Sequence, residues 1–568
     1  MAAEGEMSPE SKQTRTLTWI ALLGALAVAL PFLNKPFHID DPFVLATAEQ
    51  IGRDPLRPFS ASFNWFDDPD PIFNITTNPP FVSYWLAPVL ALFGPSEIAL
   101  HLAMLPFLIL MTLSMATLSR RFAQGSLWPV LFVMFSPAVV VSPNVMRDVP
   151  SAALATAAVA LFVVGTDRGR WLYVMVGGIL AGLAMVTKYS ALIIVPVLAL
   201  YPLLQRKPRY LAGLLPALAV LGLWYLENYG VYGQVHLFYL MKKPRQGSFT
   251  LINKSTAALV ITGSCFILAP GLLAHAVRRR DWPTPLGAVL VAVATVAFLK
   301  RQYPGQCNLQ YYLWAVLGAV LICWILVRGF FIGTRVKTAS APSDKACSSL
   351  ASDLLPLTSS DSFFLMGWLI GPYLAGTCFV EFPAVRHILP AAAPIALLAV
   401  RYTQRPVALP SRWVEAAFGA ALAVQTITAF WAAAADYQYA DTYRQFAREA
   451  AATLTVPQGN RIWYSGHWGW QYYASAAGFH QITKSGDTPK PGDLVLVPDF
   501  VVKGAMPDGF DQRLEQIREP KRYPARFCAV TMDCWGHAAF YATFGTTVPF
   551  YFGRELTYEV FRVFRVKP

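Results

Sequence analysis

The sequence predicts an all-α polytopic membrane protein of about thirteen transmembrane helices, followed by a smaller C-terminal α/β domain on the extracytoplasmic side. Three observations carry that expectation. Apolar stretches recur from Thr18 to Trp431, many long enough to cross roughly 30 Å of hydrocarbon as helices. With 55% hydrophobic residues and a mean hydropathy of +0.43, the 568-residue chain is too apolar for a soluble multidomain protein. After Ala435 the texture turns to mixed polar and aromatic sequence, which divides the chain into a membrane domain, 1–434, and a soluble domain, 435–568.

Spans are expected near 17–34, 97–118, 127–143, 149–165, 172–187, 189–204, 210–226, 257–277, 285–299, 311–331, 362–380, 387–401 and 413–433. Lys12 and Arg15 precede Trp19–Phe32 as they would in a signal peptide. No small-residue cleavage site follows cleanly, so an uncleaved first span is expected. An odd number of spans puts the two termini on opposite sides. With the N-terminus cytoplasmic, the inner loops hold Arg120-Arg121, Arg168 and Arg170, Arg206-Lys207-Arg209, Arg278 to Arg280, Arg328 with Arg335 and Lys337, and Arg401 with Arg405 and Arg412. That alternation is what the positive-inside rule demands.

The outer face then receives the 35–96 loop, the 144–148 turn, Lys188, the 227–256 and 300–310 loops, the 381–386 turn and the C-terminal domain. Within the first loop, Asp41–Gly52 and Pro79–Gly94 read as helices, the second apolar enough to lie along the membrane surface. The inner loop Gly333–Ser360 is rich in Ser, Thr and Ala and reads as flexible. The formal charge of +13 sits in short clusters between apolar stretches, with no basic stripe interleaved with aromatics, so nucleic acid is not an expected partner. Cys528 and Cys534 are spaced for a small disulfide loop, and two reduced thiols fit nearly as well.

The candidate chemistry clusters on the outer side. Asp40 and Asp41 follow the first span directly and precede a helix; one of them suits proton acceptance from an acceptor hydroxyl or amine, and capping the helix is the competing role. Asn78-Pro79-Pro80 leads into a helix carrying Tyr84-Trp85, and Arg147-Asp148 stands at an outer membrane edge. Lys188 occupies another outer turn, and Arg386-His387-Ile388-Leu389-Pro390 opens a late span. Ionisable groups at such depths are costly unless they pair, reach water or serve a site. Lys242-Lys243-Pro244-Arg245 breaks the positive-inside trend, which suggests anionic headgroup or substrate contact; a merely solvated loop fits about as well. Gly466 to Tyr473 is rich in rings, suited either to stacking on sugars or to the core of the soluble domain.

The acidic pair after the first span, the Pro-Pro-x-x-x-Tyr-Trp helix, the Asp opening the fourth span and Thr187-Lys188 after the fifth resemble, in that order, the family-C polytopic glycosyltransferases. The branch they resemble holds protein O-mannosyltransferases, lipid A aminoarabinose transferases and rhizobial lipopolysaccharide sugar transferases. Arg386 to Pro390 is similar to that family's late Arg-Tyr-Leu-Leu-Pro pattern, and the resemblance runs from residue 17 to about 400. It implies a GT-C-like fold, a polyprenyl-phosphate sugar donor, and an acceptor that is a glycolipid, glycan or protein. It also implies an integral protein of a bacterial inner membrane.

The catalytic carboxylate maps to Asp40, with Asp41 where the family has Glu, and Asn78 stands where relatives often have Lys or His. Lys188 and Arg386 would neutralise the departing lipid phosphate. Asp148 would bind acceptor, or with Asp41 a divalent cation, though no cofactor is obligatory. A transporter or flippase of a lipid-linked substrate is the alternative; no clear internal repeat supports it.

Overall fold

A computed structural model describes residues 9–243, 249–335, 359–403, 412–501, 506, 509–543 and 545–568. Arg245, Lys337, Arg405 and all but the two ends of the Gly333–Ser360 loop lie outside the described residues. Among the described residues, eight helices are long and apolar enough to cross a membrane: Gln13–Phe32, Glu97–Phe122, Asp148–Arg168, Pro208–Tyr232, Pro283–Gln302, Leu309–Gly329, Ser360–Phe379 and Arg412–Thr453. Leu251–Cys265 and Ala269–Arg278, bent by 76°, make a ninth if they count as one span. These helices make the chain an integral membrane protein, and its membrane body is helical as the sequence predicts.

Four of the expected spans are shorter pieces. The 127–143 stretch forms Trp128–Met134 and Pro137–Val140, broken where Pro137 cannot continue the preceding hydrogen-bond ladder. Trp171–Met185 is 15 residues, only about 22 Å. The 189–204 stretch begins as a 3₁₀ turn over Tyr189–Ile193 before Ile194–Leu204, and 387–401 divides into Val385–Ile388, Leu389–Ala391 and Ala392–Arg401 around Pro390. Every residue of Ala392–Arg401 is buried against other helices, whereas Trp171–Met185 leaves Trp171, Leu172 and Ile179 exposed.

The first loop contains both expected helices, as Asp41–Arg53 and Phe81–Phe93, the second ended by Gly94 at φ +63°. Between them lie a two-stranded hairpin, Ser62–Asn64 with Pro69–Pro71, and the short helix Ile72–Ile75.

Arg412–Thr453 runs for 42 residues, about 63 Å, and so continues well past the hydrocarbon. It passes unbroken through residue 435, where the texture change predicts a boundary, and carries the chain into the strand-bearing C-terminal part. There a mixed sheet runs in the order His480–Gln481, Ile462–Tyr464, Leu494–Pro498, Thr557–Val566, Leu514–Gln516, with Lys521–Pro524 also paired to Thr557–Val566. The first three strands are parallel and the last long strand is antiparallel to its neighbours. Trp470, fully buried among Phe446, Tyr464 and Phe561, fills the space between this sheet and the long helix. The ring-rich 466–473 segment thus supplies core at its centre. Cys528 and Cys534 are both free thiols.

Candidate functional site

Asp40 occupies the N-cap position of Asp41–Arg53, yet its side chain makes no capping hydrogen bond. It accepts one from Arg386 Nη1 at 2.6 Å instead, and 26% of the Asp40 side chain remains exposed. Arg386 sits on Val385–Ile388 and leaves its Nε without a partner. Beside this pair, Lys188 Nζ donates to Asp148 Oδ1 at 2.5 Å, joining the turn after Trp171–Met185 to the first residue of Asp148–Arg168. Arg147 is buried with Nε and Nη2 unpartnered, and its guanidinium lies 5.6 Å from the Phe43 ring. Burial pulls the Arg147 pKa down to about 10 against the attraction of Asp40 and Asp148, so it stays a cation at neutral pH. His387, with Nδ1 unpartnered, rests on Phe382 at 5.8 Å and feels the charges of Lys188 and Arg386.

Six of the residues singled out in the sequence therefore gather at one end of the helical body: Asp40, Arg147, Asp148, Lys188, Arg386 and His387. Three cations and two carboxylates share the space, and part of it faces solvent. Of the other five, Asp41 is buried beside His38 and four are directed elsewhere. Asn78 bonds locally, to the Thr77 hydroxyl at 3.0 Å and through its own backbone to Thr76. Tyr84 donates to the Pro55 carbonyl at 2.5 Å. Lys242 is exposed, and Lys243 reaches the Asn74 carbonyl and the Tyr239 ring. An open groove of about 680 Å³ between the end of the first helix, the long helix and Lys521–Phe527 contains none of the six.

Asp41 has a different environment from its neighbour. It is fully buried, and its Oδ2 accepts from the His38 backbone N–H at 3.0 Å and faces His38 Nδ1 at 3.4 Å. His38 Nε2 lies 3.1 Å from Asp436 Oδ2 and 3.1 Å from the Tyr541 hydroxyl. The ring thus has a carboxylate on each side, one at each nitrogen. Burial and Lys35 would lower this pKa, but Asp436 and Asp41 outweigh them and hold it above the ordinary value. Lys35 Nζ donates to Asp436 at 2.5 Å and to Asn144 Oδ1 at 2.6 Å, and the Thr531 hydroxyl donates to Asp436 Oδ1 at 2.6 Å. The two buried acids thus face Lys35 and the His38 imidazole.

Lys35, Asn144, Asp436, Thr531 and Tyr541 escape the sequence reading. The one local signal was at Asp436, an acid directly after the alanine run 432–435 that ends the apolar part of its helix. Asp41 and Asp148, the pair offered to a divalent cation, each face a basic side chain, His38 and Lys188, and among the described residues no group of three His, Cys, Asp or Glu is placed to hold a metal.

Residues 77–226 match the family described as dolichyl-phosphate-mannose-protein mannosyltransferase. The matched stretch includes Arg147, Asp148 and Lys188 and leaves Asp40 and Arg386 outside it. It favours the glycosyltransferase reading over the transporter. No curated protein sequence matches the chain. Among solved structures, the chain is similar to ArnT from Cupriavidus metallidurans in the apo state, at 15% identity and a TM-score of 0.39, over 98% of each chain. It is similar to ArnT from the same organism bound to undecaprenyl phosphate, at 15% identity and a TM-score of 0.37, over 89% of this chain and 96% of that one. It is also similar to the archaeal oligosaccharyltransferase AglB from Archaeoglobus fulgidus in complex with an inhibitory peptide and a dolichol-phosphate. There identity is 14% and the TM-score 0.43, over 84% of this chain and 65% of the other.

Proposed function

We propose that this protein is a membrane glycosyltransferase that moves a sugar from a polyprenyl-phosphate donor to an extracytoplasmic glycolipid, glycan or protein. The observation that carries the reading is the Asp40–Arg386 pair beside Lys188, Asp148 and the unpartnered Arg147. A partly exposed carboxylate stands next to a cluster of cations, which is what displacement of a sugar from phosphate requires. The acceptor oxygen or nitrogen attacks the anomeric carbon while its proton passes to Asp40. The bond from that carbon to the phosphate oxygen breaks, and the electron pair leaves with polyprenyl phosphate.

Arg386 can serve both halves of this reaction. Nη1 orients Asp40, and the free Nε remains for a phosphate oxygen. Arg147 and Lys188 add positive charge where negative charge grows on the leaving group. In this reading the site end of the molecule is extracytoplasmic. Purified protein supplied with a panel of polyprenyl-phosphate sugars and candidate acceptors should release free polyprenyl phosphate with one of them. Release of none, by protein that still binds polyprenyl phosphate, would argue against transfer.

A further inference from the structure

Tyr541 belongs to the C-terminal part of the chain, yet it is buried against the first loop. Its hydroxyl donates to Asp436 Oδ2 at 2.7 Å, accepts from Asn144 Nδ2 at 2.9 Å and lies 3.1 Å from His38 Nε2. One donor and two acceptor sites are all a phenol offers, so the group is fully used. The ring also meets the His38 imidazole edge-on at 5.2 Å. Three separate parts of the membrane domain are therefore tied to one hydroxyl: the loop carrying Asp40, the turn before Arg147, and the long helix.

The backbone around Tyr541 makes a second connection. The Thr543 N–H donates to the Pro383 carbonyl at 2.8 Å, and the Val385 N–H donates to the Phe540 carbonyl at 3.3 Å. Those two bonds flank Ala384, and the second is made by the residue before Arg386. The segment is anchored in turn by Phe540 N–H to Thr531 O at 2.9 Å and Ala539 N–H to Val548 O at 2.9 Å. From the other side Gly469 packs on the same loop, where a Cβ would stand 2.3 Å from the Phe37 carbonyl oxygen.

We propose that Tyr541 is a positioning residue for sugar transfer, and that the 540–543 segment sets the geometry of the Asp40–Arg386 pair from two directions. The Tyr541 side chain fixes the His38–Asp40–Asp41 turn, and the segment's backbone fixes the 383–385 stretch leading to Arg386. The C-terminal domain is then a working part of the site. This inference rests on the glycosyltransferase reading above.

Tyr541→Phe separates the two arms, since it removes the hydroxyl and keeps the ring and backbone. Displacing a catalytic group by even an ångström lowers turnover strongly, so kcat should fall between about tenfold and a hundredfold. Donor KM should stay within about twofold, because the backbone arm holding Arg386 is untouched. A variant that is merely less stable would lose folded protein without changing kcat per folded molecule. If the phenylalanine variant does not accumulate, His38→Gln carries the same test with the same expected split. Unchanged kcat in whichever variant folds, or a rise in donor KM with kcat held, would overturn the positioning role. Asp40→Asn assayed alongside separates the two ideas. If it is inactive while Tyr541→Phe works normally, only the positioning role falls; if it is active, the catalytic reading and this inference fall together.

Discussion

At Asp40 the backbone sits where a helix cap belongs, while the side chain turns away to Arg386. Asp41, one residue on, is buried against His38 and keeps no path to solvent. Substituting each in turn should separate the two environments. Asp40→Asn keeps size and most hydrogen bonding but cannot take a proton, so turnover should drop by about 10²–10⁴-fold while folded protein accumulates normally. Asp41→Asn should instead lower the thermal midpoint, by about 1–3 kcal/mol of stability, because it weakens a buried charge-assisted bond. Near wild-type transfer by Asp40→Asn would remove it as the base. His38 adds a pH signature. Lys35, Asp41, Asp436 and Tyr541 all face its ring, and the two acids hold its folded pKa above the unfolded value of about 6.5. The folded state therefore binds the proton more tightly. Stability from this source is complete below about pH 6.5 and is lost as the pH rises through the raised folded value. Thermal midpoints measured from acid to mildly alkaline pH should fall in wild type and fall less in His38→Gln; parallel curves would contradict the charge balance.

Asp148–Arg168 shows what a single helix contributes, because it holds an acid near each end. Asp148 pairs with Lys188 at the site end. Asp167, at the other end, accepts from Arg121 Nε at 2.6 Å, and Arg121 also reaches Asp361 at 2.9 Å. Removing Lys188 strands the buried Asp148 and should destabilise by about 3–5 kcal/mol, whereas removing Arg121 leaves Asp361 with Arg401 and Gln205 and Asp167 with the Tyr201 hydroxyl, and should cost less. The consequences for catalysis should differ: Lys188→Ala should also raise donor KM severalfold, whereas Arg121→Ala should leave donor KM alone in the protein that remains folded. Equal effects on donor KM would mean that Lys188 is structural too. The same helices mark how much of the protein was legible in its sequence. Long apolar runs announced the eight spanning helices, and Asp41 and Gly94 stood at the ends of the first-loop helices. Hydropathy located Ala392–Arg401 and Trp171–Met185 but not their shortness; each still carries the chain between the two ends, from Arg386 towards Arg401 and from Arg170 to Lys188. Lys188 and Asp148 were legible as charges out of place between apolar runs. Asp436 and Tyr541 were not, since nothing local in either segment points to a partner in the first loop.

Across the whole molecule the two charge clusters lie at opposite ends of the bundle, and the C-terminal domain packs on only one of them. Its contacts on this side extend beyond Tyr541: the Ser485 N–H and hydroxyl both donate to Asp68 Oδ1 in the first loop at 2.8 Å, and Tyr473 donates to Glu97, the first residue of the next span, at 2.5 Å. The loop carrying Asp40 and the C-terminal domain must therefore share one side of the membrane, whichever side that is. The charge distribution argues for the outside. Arg120, Arg168, Arg170, Arg206 and Arg278 to Arg280 all lie at the far ends of their helices, and basic residues are retained on the cytoplasmic side during insertion. Asp487 near the site end, and Arg120 and Arg280 at the far end, are exposed and suit single-cysteine labelling once the seven native cysteines are replaced. An impermeant maleimide applied to intact cells should label Asp487→Cys and spare Arg120→Cys and Arg280→Cys until the membrane is opened. The reverse pattern would place Asp40 in the cytoplasm and end the case for an extracytoplasmic acceptor. Labelling of Asp487→Cys together with Arg280→Cys would instead mean that the bent pair Leu251–Cys265 and Ala269–Arg278 does not cross.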